Sequence, residues 1–334
     1  MQKSSELNLT LFTTKPSFGL PTSCPKCLPL FFYLKFSGIS FDFCYNSTFP
    51  DSDQIPFVES GSYVAYNNEK GGVINCLRDD GIADLDSDFS TIPEWISAKA
   101  MVGSWLMDAL AYELWVASDK SCTQTIYFSD LPWPIGSILY YKQVQAAKRH
   151  LGITNENAQR METEIYRRAN QAYAALSTQL GEDSFLFGNR PSSLDAVFLG
   201  HALITLQALP ETSVLKSKIL EYSNLTNYAE KLSAQFLKDF SVESALPAWS
   251  KAPPFDGQAS SSTPKQGGFS NWSAKPKNEP KKERTEEEKK FRRRAKYFLA
   301  AQFISVLVFL SLFSGSDVGQ LELDEDDDSA DYVD

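Results

Sequence analysis

Residues 55–59 read Ile55-Pro56-Phe57-Val58-Glu59 and residues 63–66 read Tyr63-Val64-Ala65-Tyr66. These short runs, rich in β-branched and aromatic residues, predict a pair of short strands. Toward the N-terminus, Phe41–Tyr45 is another strand candidate and Lys26–Phe36 an apolar helix candidate. Leu7-Asn8-Leu9-Thr10-Leu11-Phe12 alternates apolar and polar side chains, the period of a half-buried strand. Toward the C-terminus, Val73–Asp80 closes the region as a short helix. The order β-α-β-β-β-α predicts a small open sheet with helices packed on it.

Past Gly81 the strand signals stop. Trp95, Ala98, Val102, Trp105, Ala109, Tyr112 and Val116 recur at helical spacing and share one face of a long helix. Leu106, Leu110 and Leu114 form a second stripe, which implies burial on two sides. Ala158, Met161, Ile165, Ala169, Ala172, Leu176 and Leu180 line another such helix, stopped by Gly181. Further helices are expected at about 135–150, 192–208 and 223–238. The reading is an α/β domain over 1–82 and an all-α domain over 83–245. Residues 246–282 are rich in Pro, Ser, Gly and Lys, so 246–288 is expected to be a disordered linker. Glu286–Lys296 resumes as a charged helix.

The chain has 334 residues, 43% hydrophobic and 22% charged. That composition excludes a wholly disordered chain, a coiled coil, a collagen and a polytopic membrane protein. The formal charge is −10, but residues 317–334 hold nine acids and no base, so the rest is nearly neutral. No basic excess points to nucleic acid. Met1–Glu6 has neither an apolar core nor an Arg-rich stretch, and no signal or presequence is expected. Five cysteines (Cys24, Cys27, Cys44, Cys76, Cys122) fit a reducing compartment rather than a disulfide framework.

Tyr297–Ser316 is 20 residues without a charge. As a helix it reaches about 30 Å, the thickness of a bilayer core. Lys289, Lys290, Arg292, Arg293, Arg294 and Lys296 precede it and the acidic tail follows. The reading is a tail anchor over 297–316, a basic flank over 289–296 on the cytosolic side, and a tail over 317–334 that crosses. The flank can hold anionic headgroups, at about 1 kcal/mol per cation near a charged surface. A short span of this kind suits a thin mitochondrial or plastid outer membrane.

A sheet-containing region followed by an all-α domain resembles the glutathione transferases, whose first domain is thioredoxin-like. Gln54-Ile55-Pro56-Phe57 is similar to the stretch where that fold places a cis-proline before its third strand, which implies a cis bond at Pro56. Arg190-Pro191-Ser192-Ser193-Leu194-Asp195 resembles the capping box that opens the central helix of the second domain. It implies that Ser192 accepts from a first-turn N–H and that Asp195 accepts from the Ser192 N–H. Further stretches narrow the resemblance to the metaxins, and to their plant form: Gly19-Leu20-Pro21-Thr22, Asn46-Ser47-Thr48-Phe49-Pro50, Tyr63–Gly72, Ser129-Asp130-Leu131-Pro132-Trp133 and Lys289–Phe303. The resemblance implies a mitochondrial outer-membrane protein facing the cytosol, its tail in the intermembrane space. It implies association with the machinery that sorts and assembles β-barrel precursors.

Cys24-Pro25-Lys26-Cys27 is the most suggestive chemical motif. It lies between the first strand and the first helix, where unpaired N–H groups and the helix dipole stabilise a thiolate, and Lys26 adds positive charge. It reads either as a redox pair or as structural or silent thiols. A metal would need two more soft ligands, and His150 and His201 both fall in the helical domain. Transferases hold the γ-glutamyl group with an acidic residue followed by Ser. The matching stretch here has Glu69 followed by Lys70, which counts against glutathione binding. With two histidines, no P-loop and no GxGxxG, no other catalytic constellation stands out. The expected function is therefore non-catalytic, without a cofactor or metal: a component of outer-membrane protein import that contacts the β-barrel assembly machinery and precursors, held to the membrane by its C-terminal helix. The alternative is a membrane-anchored, glutathione- or thioredoxin-like thiol oxidoreductase using Cys24 and Cys27.

Overall fold

The first strand, β1 (Leu9–Thr13), buries Leu9, Leu11 and Thr13 and half-buries the residues between them, the alternation of a strand with one face on a core. The computed structural model describes residues 9–45, 54–69, 71–238, 246–247 and 302. β1 continues through α1 (Cys27–Phe36) to β2 (Phe41–Tyr45), which pairs parallel to it; a parallel pair requires such a crossover. β3 (Phe57–Ser60) runs antiparallel to β1, and β4 (Tyr63–Tyr66) antiparallel to β3. A two-residue strand, β5 (Leu246–Pro247), adds parallel to β2, so the sheet order is β4-β3-β1-β2-β5. α2 (Val73–Asp79) closes this region. The described order β-α-β-β-β-α is the one the sequence predicts, with β3 shifted to Phe57–Ser60.

α1 is buried from Cys27 through Leu34 on every side. Pro29 sits in its first turn, where a missing N–H removes no intrahelical bond. α1 is covered on its far side by α8 (Ser193–Gln207), which is also buried all round. Gly200 makes this close approach possible. A Cβ there would lie 2.9 Å from both Cδ and Cγ of Pro29. Around α8 pack α3 (Pro93–Met101), α4 (Met107–Tyr112), α9 (Val214–Leu220) and α10 (Ser223–Phe236). α5 (Ser121–Thr123), α6 (Trp133–His150) and α7 (Ala158–Leu180) complete the helical region. The sheet and helical regions belong to one compact unit with a continuous core.

The long helix expected over 95–116 is a continuous helical run over residues 93–117, interrupted by π-helical turns at Val102–Leu106 and Glu113–Ala117. A third π turn, Gln124–Phe128, extends α5. Leu106, Leu110 and Leu114 are fully buried, as the second apolar stripe requires. α7 ends at Gly181, which adopts φ 50°. Among the described residues no helix is long and apolar enough to cross a membrane. The expected linker, basic flank, anchor and acidic tail lie outside the described residues, Gln302 apart.

Candidate functional site

The chain leaves β1 through Thr13 and Thr14, both fully buried. The Thr14 and Thr22 hydroxyls lie 2.6 Å apart, and Thr22 Oγ1 accepts the Cys24 N–H at 3.3 Å. Between them a tight turn pairs Ser17 with Leu20, using positive φ at Phe18 and Gly19. The Cys24 carbonyl then accepts from the Cys27 and Leu28 amides at 3.0 and 3.1 Å, which starts α1. Cys24 is 5% exposed and Cys27 fully buried.

The two thiols are electrostatically unlike. The Cys27 side chain hydrogen-bonds Cys24 and lowers its pKa to about 6; burial opposes this, and Tyr127 and the Lys26 and Cys27 amides assist. Cys27 moves the other way, pushed up by burial and then by its bond to Cys24 and that neighbour's charge. Tyr127 is also pushed up, first by burial and then by the adjacent Cys24. One acidic thiol is thus held by two poorly acidic donors.

Cys24 opens onto a cavity of about 390 Å³ between the sheet and helical regions. All three π turns contribute to it: Gly103 from the first, Leu114 and Trp115 from the second, Tyr127 from the third. Such turns re-aim side chains and recur at functional sites. Trp115 stacks on Tyr127 with ring centroids 5.4 Å apart, fixing the ring whose hydroxyl reaches Cys24. At another wall His150 Nε2 lies 3.1 Å from Asp108 Oδ1.

A second cavity, of about 210 Å³, lies beside Pro56 and the start of α2. The Ile55–Pro56 bond is cis. Gly71 and Gly72 both have positive φ, and Asn75 Nδ2 donates to the Gly71 carbonyl at 3.0 Å. Of the two lysines at this cavity, Lys99 is bound to Asp86 at 2.8 Å. Lys70 lies outside the described residues.

Ser192 and Asp195 sit at the start of α8, in a capping box. The Ser192 N–H donates to Asp195 Oδ2 at 2.9 Å and its hydroxyl donates to the same oxygen at 2.8 Å. Asp195 Oδ1 accepts from the Leu186 N–H and the Tyr228 hydroxyl, both at 2.8 Å. Asp195 is therefore a buried structural hub, remote from the Cys24 cavity. Two further buried carboxylates escaped the sequence reading. Asp86 accepts from the Ser193 N–H and hydroxyl, and Glu113 accepts from Tyr166 and the Leu215 N–H. Tyr127 also went unread, because its helical segment is too short to show a period. Among the described residues no group of three or more His, Cys, Asp or Glu side chains is placed to hold a metal. His150 and His201 are well separated in role: one lines the cavity, the other is buried against Tyr173.

Family profiles of the glutathione S-transferase N-terminal and C-terminal domains match residues 25–120 and 169–232. Among solved structures, a glutathione S-transferase of Ceriporiopsis subvermispora in complex with glutathione aligns with 70% of this chain and 98% of its own, at 11% identity and a TM-score of 0.48. Metaxin-2 of Homo sapiens is 24% identical over 56% of this chain and 72% of its own length. The "Mitochondrial outer membrane import complex protein METAXIN" of Arabidopsis thaliana is 51% identical over 98% of this chain and 100% of its own. Identity at that level, running the length of both sequences, places this chain in the metaxin family.

Proposed function

We propose that this protein is a non-catalytic component of protein import at the mitochondrial outer membrane. The observation that carries this is the full-length 51% identity to a plant import-complex metaxin. In this reading the unit built of the sheet and helical regions faces the cytosol and docks on the machinery that assembles β-barrel precursors. Residues 297–316 anchor it, with Lys289, Lys290, Arg292, Arg293, Arg294 and Lys296 on the cytosolic leaflet and the acidic tail in the intermembrane space. Tethering raises the local concentration of the docking unit at the membrane without any new contact.

The test is assembly of a β-barrel precursor in isolated mitochondria depleted of the protein, with a matrix-targeted precursor as control. Selective loss of barrel assembly is expected. Normal assembly of both precursors would overturn the reading. Carbonate extraction of a chain ending before residue 297 tests the anchor: it should leave the membrane, whereas the full chain stays.

A further inference from the structure

An import role leaves the Cys24 cavity without a task. Its geometry has three independent elements. Cys24 is part of the cavity wall. Aromatic and aliphatic side chains (Trp115, Leu114, Ile55) give that cavity flat apolar sides. A second thiol, Cys27, lies three residues on at the start of α1, its amide donating to the Cys24 carbonyl at 3.0 Å. We propose that this cavity admits small disulfides carrying a flat apolar arm, and that Cys24 and Cys27 exchange with them to form a reversible intramolecular disulfide. A protein-borne disulfide does not fit, because Cys24 is only 5% exposed and is reached through a cavity of about 390 Å³.

The exchange balances in two steps. The Cys24 thiolate attacks one sulphur of the small disulfide; a Cys24 mixed disulfide forms and the first small thiolate leaves, taking a proton from solvent. Cys27 gives up its proton to solvent and attacks the Cys24 sulphur, and the second small thiolate leaves. Counted with the proton that Cys24 gives to solvent on ionising, the protein loses two electrons and two protons; the second small thiolate takes up the remaining proton, and the small disulfide becomes two thiols. The first step eases the second. The negative charge on Cys24 is among the causes that hold the Cys27 thiol protonated, and the mixed disulfide removes it. The reaction is stoichiometric: each chain reacts once until it is reduced again.

The titratable groups that face Cys24 are Cys27 at the start of α1, Lys26, Tyr127, and the Asp108–His150 pair across the cavity. The test uses the reduced full-length chain in a mild detergent, with 2,2′-dithiodipyridine as the probe and N-acetylcysteine as the reference thiol. The wild-type chain is expected to release two pyridine thiones rapidly, with an intact-mass loss of two hydrogens and a Cys24–Cys27 link on peptide mapping. Cys27→Ser should release one thione and keep the pyridylthio group on Cys24. The rate ratio of Cys24 to an ordinary thiol of pKa 9.0 should rise about eightfold between pH 7 and pH 5.5, because the thiolate fraction of a thiol of pKa about 6 falls only about fourfold over that range while that of the ordinary thiol falls about thirtyfold. Steric access cancels in that ratio. A ratio that does not change with pH would overturn the proposal, as would two thiones released without a Cys24–Cys27 link. Both of those readouts use the wild-type chain and do not depend on a variant folding. Oxidised insulin should not exchange at Cys24; exchange as fast as with the small probe would overturn the size limit.

Discussion

Gly200→Ala tests the contact that joins the two regions. On a free helix this change stabilises by about 1 kcal/mol, because alanine loses less backbone entropy. Here the new Cβ meets Pro29 Cδ and Cγ at 2.9 Å and the Pro29 nitrogen at 3.0 Å. None of these atoms can rotate away: two belong to a closed ring and the third to the backbone of α1. Relief requires α1 or α8 to shift, and both are buried on all sides. Overpacking of this kind costs about 1–3 kcal/mol. The propensity gain offsets part of that cost, leaving a net loss of about 1 kcal/mol, with an upper end near 2. For a folded unit of this size a loss of about 1 kcal/mol lowers Tm by roughly 2–4 °C. The assay is thermal unfolding of the full-length chain in detergent, read by near-ultraviolet circular dichroism. A variant more stable than wild type would refute the steric argument, since it would show that α1 and α8 do not meet at that distance.

Burial holds the pKa of His201 down to about 3, against 6.5 for the free side chain. The folded chain therefore keeps it neutral while the unfolded chain takes up a proton below pH 6.5, so stability is complete above that pH and falls as the pH drops. At pH 5 the loss is about 2 kcal/mol; His201→Gln should remove that part of the acid slope in a Tm series, and an unchanged slope would refute it. Asp195→Ala leaves the Ser192 and Leu186 amides and the Ser192 and Tyr228 hydroxyls without their shared acceptor. It should cost about 3–5 kcal/mol, and an urea midpoint indistinguishable from wild type would show that these groups find other partners.

Elements that carry their own period were legible in the sequence. α7 shows seven apolar positions at helical spacing and a glycine stop, and its bounds follow from them. The β-α-β-β-β-α order was legible for the same reason: each strand is a short apolar run set between polar residues. What stayed hidden depends on distant partners. α9 is a seven-residue helix whose Leu215 N–H is satisfied by Glu113, which lies far away in the chain. The π turns are hidden because each shifts the helical phase by a single residue, which an apolar stripe tolerates. The site was half legible. The Cys24–Cys27 spacing announces a thiol pair at a helix start. The hydroxyl that tunes it, from Tyr127, comes from a segment with no readable pattern.

Most of the contacts between the two regions are independent of the Cys24–Cys27 pair. α1 meets α8 at Pro29 and Gly200, and its other end packs Phe36 on Phe185 and Phe236 with centroids 6.1 and 5.0 Å apart. Lys15 adds an ion pair to Asp130 at 2.7 Å. None of these contacts involves sulphur. The Tyr127 hydroxyl is different, because its acceptor is Cys24. A hydrogen bond to a charged acceptor contributes about 1.5–3 kcal/mol, and a neutral disulfide sulphur accepts only weakly. Oxidation therefore weakens one of several links between the regions, at the cavity itself, while α1 stays clamped against α8. The link that is weakened lies at the Gln124–Phe128 turn, whose Tyr127 lines the cavity.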